Sequence, residues 1–368
     1  MRGEAFRDIE QVRIPVQSIT IAGRQIGPDA PPYIIAEVSA NHGGDLARAK
    51  RIIDIAAEKG ADAVKFQAYT ADSMTLDSER ADFLIQGDNP WKGRRLHALY
   101  QEAATPFDWF GELFAYAKTR SIPAFASVFG RDSLALLEKL GAPAYKIASF
   151  EAVDTDLIAA CAATGKPVII STGLCTLADI QIAYDAAKRG GSKEIALLRC
   201  NSAYPADPVE ANLATIADMI RRFDVPIGYS DHTVETLPAA IAVGIGACIV
   251  EKHVIDAREP ATADSTFSCL PDQLEALVKA CREAYLARGG VKYGPSKREE
   301  PSIVFRRSLY AVTDIAAGEK LSHDNVRSIR PGHGLPPRCL PEIVGKPARR
   351  TIARGEPISW DALGDAVR

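Results

Sequence analysis

Short apolar runs recur along the chain, and each is followed by a polar step and then a stretch with helical spacing of its apolar positions. PYIIAE ends at Glu37, and in DLARAKRIIDIAAEKG the apolar residues fall on one helical face up to Gly60. ADAVKFQ, PAFASVF, AYKIAS, PVIIST, EIALLRCN, PIGYS and ACIVEKH repeat the first kind of run. WFGELFAYAKTR, DSLALLEKLG, DTDLIAACAATG, TLADIQIAYDAAKRG, VEANLATIADMIRRF, TVETLPAAIAVG and PDQLEALVKACREAYLARG repeat the second. A long polar insertion containing Trp91 interrupts the rhythm after ADAVKFQ. Strands this apolar on both faces belong to a parallel sheet covered by helices. Eight units across residues 33–288 predict an α/β chain with a closed (β/α)8 barrel. An open doubly wound sheet is the weaker alternative, because the run stops at eight and no Gly-x-Gly-x-x-Gly opens it.

Residues 1–32 read as a loosely attached lead-in, with VRIPVQSITIAG as a candidate small hairpin that caps something larger. Residues 289–301 are polar and charged and read as a linker. Residues 302–368 have short β-like runs and many turns, which predicts a small mostly-β domain. An internal echo supports this: DIAAGEKLSHDNV at 314–326 and TIARGEPISWDAL at 351–363 share Ile, Ala, Gly, Glu, Ser and Asp at the same offsets.

Composition narrows the function classes. Lys and Arg total 44 against 47 Asp and Glu, a net charge of -3, which argues against a bulk nucleic-acid binder while leaving room for a local basic pocket. Seven cysteines without CxxC spacing read as reduced thiols of a cytoplasmic enzyme. MRGEAFRDIEQVRIP has no apolar core of a signal peptide, and no uncharged apolar run approaches the ~20 residues a membrane span needs.

In a (β/α)8 barrel, chemistry sits at the C-terminal ends of the strands. Those ends carry Glu37, Lys65 and Gln67, Ser127, Lys146 and Ser149, and Ser171-Thr172-Gly173 in turn. Arg199, Asn201, Ser202 and Tyr204 follow, then Ser230-Asp231-His232 and Glu251-Lys252-His253, with Asp264 and Ser265 in the loop beyond. An unpaired ammonium inside an apolar strand is costly. Lys65, Lys146 and Arg199 with hydroxyls around one mouth suggest a phosphate or carboxylate site, the alternative being lysines paired to structural carboxylates. His232 and His253 lie on adjacent strands, so their rings can converge on an open, catalytic divalent-metal site. Asp231 could instead orient His232, and both histidines could be hydrogen-bonded residues of a polar rim. His42 could line the mouth next to the flexible Gly43-Gly44 turn, while Trp91 reads as packing, with sugar stacking as a second possibility.

IIAEVSANHGG, ADAVKFQ, AYKIAS, ISTG, LRCNSAYP, GYSDHT and VEKH, in this order and spacing, resemble the sialic acid (nonulosonic acid) synthase family of phosphoenolpyruvate-condensing enzymes. The tail, with SIRPGHGLPP, is similar to the antifreeze-like (SAF) domain that ends those proteins. SANHGG, AYTADSMTLDSERADFLI, LHALYQEAATPFDW, YKIASFEAVD and ADSTFS resemble the pseudaminic acid branch within it. The resemblance implies condensation of phosphoenolpyruvate with an open-chain N-acetylated sugar, with C–O cleavage and release of phosphate, and a divalent ion, Mn or Mg with Mn favoured. It implies His232 and His253 as metal ligands. Lys65, Lys146, Ser149, Ser171 and Ser230 would hold phosphate and carboxylate, with Gln67, Ser127, Asn201, Ser202 and Tyr204 also at the substrates. Glu37 and Glu251 would move protons or orient water, and Asp264 would meet sugar hydroxyls. Arg330 would reach into the partner subunit of a domain-swapped homodimer. ASVFG, Asn201 and His333 depart from the family's usual residues at their positions. N-acetylneuraminic and legionaminic acid synthesis are the alternatives within the family. A Schiff-base aldolase using Lys65 or Lys146 and a non-catalytic sugar-binding protein are the rivals outside it.

Overall fold

A computed structural model describes residues 16–87 and 91–364, so residues 1–15, which include the start of VRIPVQSITIAG and the segment read for a signal peptide, lie outside the described residues. The described chain forms two compact units that part between Gly289 and Gly290.

The first unit opens with an antiparallel hairpin, β1 (Ile19–Ile21) and β2 (Arg24–Ile26), turned at Ala22-Gly23. Eight parallel strands follow: β3 (Tyr33–Glu37), β4 (Ala63–Ala68), β5 (Ala124–Val128), β6 (Tyr145–Ile147), β7 (Val168–Ser171), β8 (Ile195–Cys200), β9 (Ile227–Asp231) and β10 (Ile249–His253). They pair in chain order, and β10 closes on β3, as the (β/α)8 expectation requires.

Successive strand residues alternate between the barrel's lumen and its helical coat. Ile34 and Ala36 pack outward with the helices, whereas Tyr33 and Ile35 point inward. Ala63, Phe125, Ala144, Ile169, Ala196, Leu198 and Ile249 join them in one lumen cluster, and Ile19, Ile21 and Ile26 of the hairpin belong to the same cluster. The hairpin therefore stoppers the N-terminal end of the barrel with isoleucine side chains. One or two inward positions further along each strand, apolar residues give way to polar ones at the opposite end.

The helices follow their sequence signals. Leu46–Glu58 starts at Asp45, whose carboxylate accepts from Ala47 N, and Leu177–Arg189 starts at a reciprocal Thr176/Asp179 capping box. The polar insertion is more ordered than its composition suggests: it contains helices Ala71–Met74 and Leu96–Ala103, and Leu99 is buried.

The second unit has one antiparallel pair, β11 (Ser308–Ala311) with β12 (Val326–Ile329), around a core that includes Leu309, Ile315, Leu321, Ile343, Ile352 and Ile358. The echo in the sequence is an echo in structure. Ile315 and Ile352 exchange both backbone hydrogen bonds at 2.9 Å. Glu319 accepts from Ala316 N, and its counterpart Glu356 accepts from Ala353 N, at 2.9 and 3.0 Å. Gly318 and Gly355 turn these corners at φ +85° and +87°, a left-handed conformation that a side chain would strain.

Candidate active site

The polar inward positions form a compact charged cluster at the C-terminal end of the barrel. The Lys65 ammonium lies 2.6 Å from Glu37 Oε2 and 3.6 Å from Glu251 Oε1, and donates to Ser127 Oγ at 2.9 Å. Lys146 donates to Ser171 Oγ at 2.6 Å and to the Ile147 carbonyl at 3.1 Å, with Glu251 Oε1 at 3.8 Å. Gln67 donates to Glu37 Oε1 at 3.1 Å, and Ser230 to Glu251 Oε1 at 3.2 Å. Both lysines and both glutamates are buried.

Two ammonium groups and two carboxylates balance, so the cluster is neutral as a set although every member is dehydrated. The pairs are unequal. Burial opposes the charge on Lys65, but Glu251 and Glu37 outweigh it and raise its pKa. Burial, with Lys65 as a like charge, leaves Lys146 below the ordinary lysine value despite Glu251. Glu251 is opposed by burial as well, yet Lys146 and Lys65 hold it well below the usual carboxylate range. Ser149 Oγ accepts from Gly173 N at 3.1 Å beside this cluster. A Cβ on Gly173 would meet Ser202 Oγ and lie 2.7 Å from Ser149 Oγ, so a side chain there would push both hydroxyls aside.

His232 and His253 stand next to the cluster with ring centroids 5.3 Å apart. His232 Nδ1 lies 2.7 Å from the carbonyl of Asn201. A carbonyl can only accept, so Nδ1 carries the proton and Nε2 keeps its lone pair for a ligand. His253 Nδ1 is buried without a hydrogen-bond partner, since the Asp264 carboxylate at 3.5 Å is beyond ordinary bonding length. Tyr204 packs on His232 at 4.4 Å and Phe267 on His253 at 5.0 Å, which holds both rings in place. Two converging imidazoles with an open lone pair on one and an orphaned nitrogen on the other suit a borderline divalent ion. Among the described residues no group of three or more His, Cys, Asp or Glu side chains is arranged to hold a metal, so water or substrate would have to complete the sphere.

Above these groups opens a cavity of about 820 Å³, within the ~300–1,000 Å³ range of small-molecule sites. Gln67, Ser202, Tyr204, His253 and Asp264 line it. Burial works against the Asp264 carboxylate, but His253, Ser39 and the Ala40 N–H keep its pKa below the ordinary value.

Several polar residues of the strand ends face elsewhere. Arg199 turns from the mouth and donates to the Cys200, Glu210 and Ala211 carbonyls, so of the three cations expected there Lys65 and Lys146 join the cluster. Asp231 does not touch His232; its carboxylate pairs with Lys252 at 2.9 Å and accepts from Thr233, a fully buried arrangement behind the barrel wall. The Asn201 side chain reaches Glu210 and Ala203 N, and only its carbonyl meets His232. His42 is locked between Gly44 N and Thr105 against Trp109, and burial pushes its pKa down to about 4. Trp91 lines the cavity, 6.1 Å from the Tyr204 ring.

Glu151 and Phe267 escaped the sequence reading. Glu151 follows Ser149 by two residues in YKIASFE, so proximity to the end of β6 was the available signal. It lines the cavity, Oε2 is buried without a partner, and burial raises its pKa to about 7 despite the nearby Lys146. A carboxyl raised in the folded state contributes stability that is present below pH ~4.5 and lost as pH rises through about 7. Glu151→Gln is therefore expected to be more stable than the parent at pH 8, with the gap in urea midpoint closing toward pH 5. A gap that does not depend on pH would refute this.

Comparison with known proteins agrees with the geometry. The NeuB family model matches residues 52–293, and the SAF domain model matches residues 306–364. The chain is 40% identical to the pseudaminic acid synthase of Helicobacter pylori over 90% of this chain and 98% of that protein. It is 32% identical to the N,N'-diacetyllegionaminic acid synthase of Legionella pneumophila over 90% and 94%. The crystal structure of the N-acetylneuraminic acid (sialic acid) synthetase of Leptospira borgpetersenii in complex with citrate superposes with a TM-score of 0.70 at 33% identity, covering 78% of this chain and 95% of that one. An eight-stranded barrel with a charged cluster at its mouth, matched by that family model across most of its length and followed by a SAF domain, places this chain in the NeuB family.

Proposed function

We propose that this chain is a pseudaminic acid synthase, joining phosphoenolpyruvate to 2,4-diacetamido-2,4,6-trideoxy-altrose with release of phosphate. The observation that carries the reaction type is the buried Lys65/Lys146/Glu37/Glu251 cluster beneath a sugar-sized cavity. The branch rests on the higher identity to the pseudaminic than to the legionaminic enzyme.

Phosphoenolpyruvate brings several negative charges, which Lys65 and Lys146 neutralise, while Ser127, Ser149, Ser171 and Ser230 donate to its oxygens. The C2=C3 π pair of phosphoenolpyruvate then forms a bond from C3 to the sugar aldehyde carbon, and the C=O π pair passes to the aldehyde oxygen. That oxygen takes a proton to become a hydroxyl, and C2 is left electron-poor. Water adds at C2, and the C–O bond to phosphate breaks. Glu37 and Glu251 sit against the lysines and serve to orient the water and take its proton. His232 and His253 would hold the divalent ion, Mn in preference to Mg, which polarises the aldehyde as a Lewis acid when bound. Gln67, Ser202, Tyr204 and Asp264 face the sugar, while Asn201 acts through the carbonyl that sets the His232 tautomer. A cytoplasmic location fits, since seven unpaired thiols persist in a reducing compartment. Among the described residues no helix is long and apolar enough to cross a membrane.

The test is phosphate release from phosphoenolpyruvate with the altrose derivative, the legionaminic precursor 2,4-diacetamido-6-deoxymannose and N-acetylmannosamine, each with and without chelator. The altrose derivative should win by a wide margin and chelator should stop it. Equal turnover of N-acetylmannosamine would remove the branch assignment. A buried lysine of lowered pKa also suits Schiff-base chemistry; inactivation by borohydride with a carbonyl substrate, unaffected by chelator, would favour that aldolase reading.

Arg330, in the SIRPGHGLPP loop of the SAF domain, is proposed to complete the site of the partner subunit in a domain-swapped homodimer. Mixing inactive Arg330→Ala with inactive Lys146→Met subunits should then restore activity, because one site of each mixed dimer combines an intact barrel with an intact arginine. No restoration in verified mixed dimers would place Arg330 in its own subunit's site or outside the chemistry.

A further inference from the structure

Strand ends and the loops after them line part of the cavity with Gln67, Glu151, Ser202, His253 and Asp264, set among apolar residues such as Phe129, Phe150 and Pro205. The insertion after β4 adds a run of apolar side chains, Met74, Ile85, Trp91, Leu96 and Leu99. None of these five belongs to the apolar clusters that fill the barrel or seat its helices.

This wall is held firmly. Thr70 and Ser73 exchange hydrogen bonds at the start of the 71–74 helix. Leu84 bridges Arg95, Ile85 N donates to the Arg94 carbonyl at 2.9 Å, and Gly93 N donates to the Ile85 carbonyl at 2.8 Å. Asp77 and Asp72 take Arg95 and His97 at 2.8 and 2.9 Å. Tyr69 packs edge-on against Tyr100 and Phe129 beneath it. A fixed apolar wall strips water from whatever touches it. A hydroxyl placed there loses its hydrogen bonds without replacement, whereas a methyl group gains contact.

We infer that Met74, Ile85, Trp91, Leu96 and Leu99 form the specificity-determining wall of the site, reading the end of the sugar remote from the aldehyde and favouring methyl-bearing substituents over hydroxyls there. The inference rests on the proposed condensation: His253 and the insertion line the same cavity, so a sugar with its aldehyde beside His253 meets the insertion with the rest of its chain. Deoxy and acetamido groups are the chemistry such a wall accepts.

The test compares N-acetylmannosamine with its 6-deoxy counterpart, a pair differing by one hydroxyl, and adds the diacetamido-trideoxy-altrose. Steady-state phosphate release is measured for the parent chain and for Ile85→Asn, Leu96→Asn and Leu96→Met. Hydrophobic contacts of one methylene are worth about 10- to 200-fold in kcat/KM. Each Asn variant should lose preference for the methyl-bearing sugar by about tenfold or more, chiefly through KM for the sugar. KM for phosphoenolpyruvate should stay put, and Leu96→Met should behave as the parent. An unchanged 6-deoxy to 6-hydroxy ratio in both Asn variants overturns the inference, as does equal loss with both sugars. Rejection of the altrose derivative by the parent chain would instead remove the proposed substrate, while the matched pair still decides the role of the wall.

Discussion

Lys65→Met is expected to abolish phosphoenolpyruvate-dependent phosphate release and to lower the urea midpoint of the first unit markedly, whereas Lys146→Met removes activity with a much smaller loss of stability. The reason is the inequality of the two buried ammonium groups. Lys65 sits 2.6 Å from Glu37 and 3.6 Å from Glu251, and its raised pKa means that folding favours its charged form. Removing it leaves two dehydrated carboxylates short of a cation, and breaking a buried pair this way costs about 3–5 kcal/mol. Lys146 has its nearest carboxylate, Glu251, at 3.8 Å and a lowered pKa, so the fold opposes its charge more than that of Lys65, although it helps to keep Glu251 ionised. On the proposed function, the bound phosphoenolpyruvate would supply the missing partner. Either loss should cost on the order of 10²–10³ in kcat or more, as expected for removal of a preorganised electrostatic group. Urea titration and phosphate release on the same preparations check both halves. Equal destabilisation by the two substitutions would show that Lys146 is structural, and turnover by either variant near the parent rate would remove it from phosphoenolpyruvate binding.

The second large effect belongs to the histidines. The parent chain should gain thermal stability on addition of Mn²⁺, because an ion that binds only the folded state adds about 2.7 kcal/mol at a hundred times its Kd. His232→Ala and His253→Ala should each lose that gain together with activity. The metal-free stabilities then separate the roles. His232→Ala leaves the Asn201 carbonyl without its donor, a cost of about 1–3 kcal/mol. His253→Ala removes a ring whose Nδ1 has no close hydrogen-bond partner and should cost less, through lost packing on Phe267 and the loss of the longer 3.5 Å contact to the Asp264 carboxylate. Retention of the Mn²⁺-induced shift in both variants would return the pair to the role of polar rim residues.

The charged cluster was legible because the rule behind it is local. Polar residues such as Lys65, Lys146 and Glu251 stand where a strand's apolar pattern would continue, and a buried charge demands a reason. Arg199, Asp231 and Lys252 look the same in one dimension. They fail to join the cluster because of parity: Ser230 and His232 point inward, so Asp231 between them points out, and Lys252 between Glu251 and His253 meets it there. That signal lay in the alternation itself. Glu151, Ile85 and Trp91 had no comparable signal, since they sit outside long regular elements where a period would dictate direction, and Met74, Leu96 and Leu99 lie on helices too short to show one.

By itself the sequence determined eight parallel strands, the end of the barrel at which chemistry gathers, the repeated corner of the SAF domain and the family, because period, turn glycines and motif order are properties of neighbours along the chain. Only the tertiary structure decided which lysine is satisfied and which is poised, which nitrogen of His232 is free, and that the polar-looking insertion presents an apolar wall to the cavity. Those depend on distances between residues far apart in sequence, where a few tenths of an ångström and the exclusion of water set the energy.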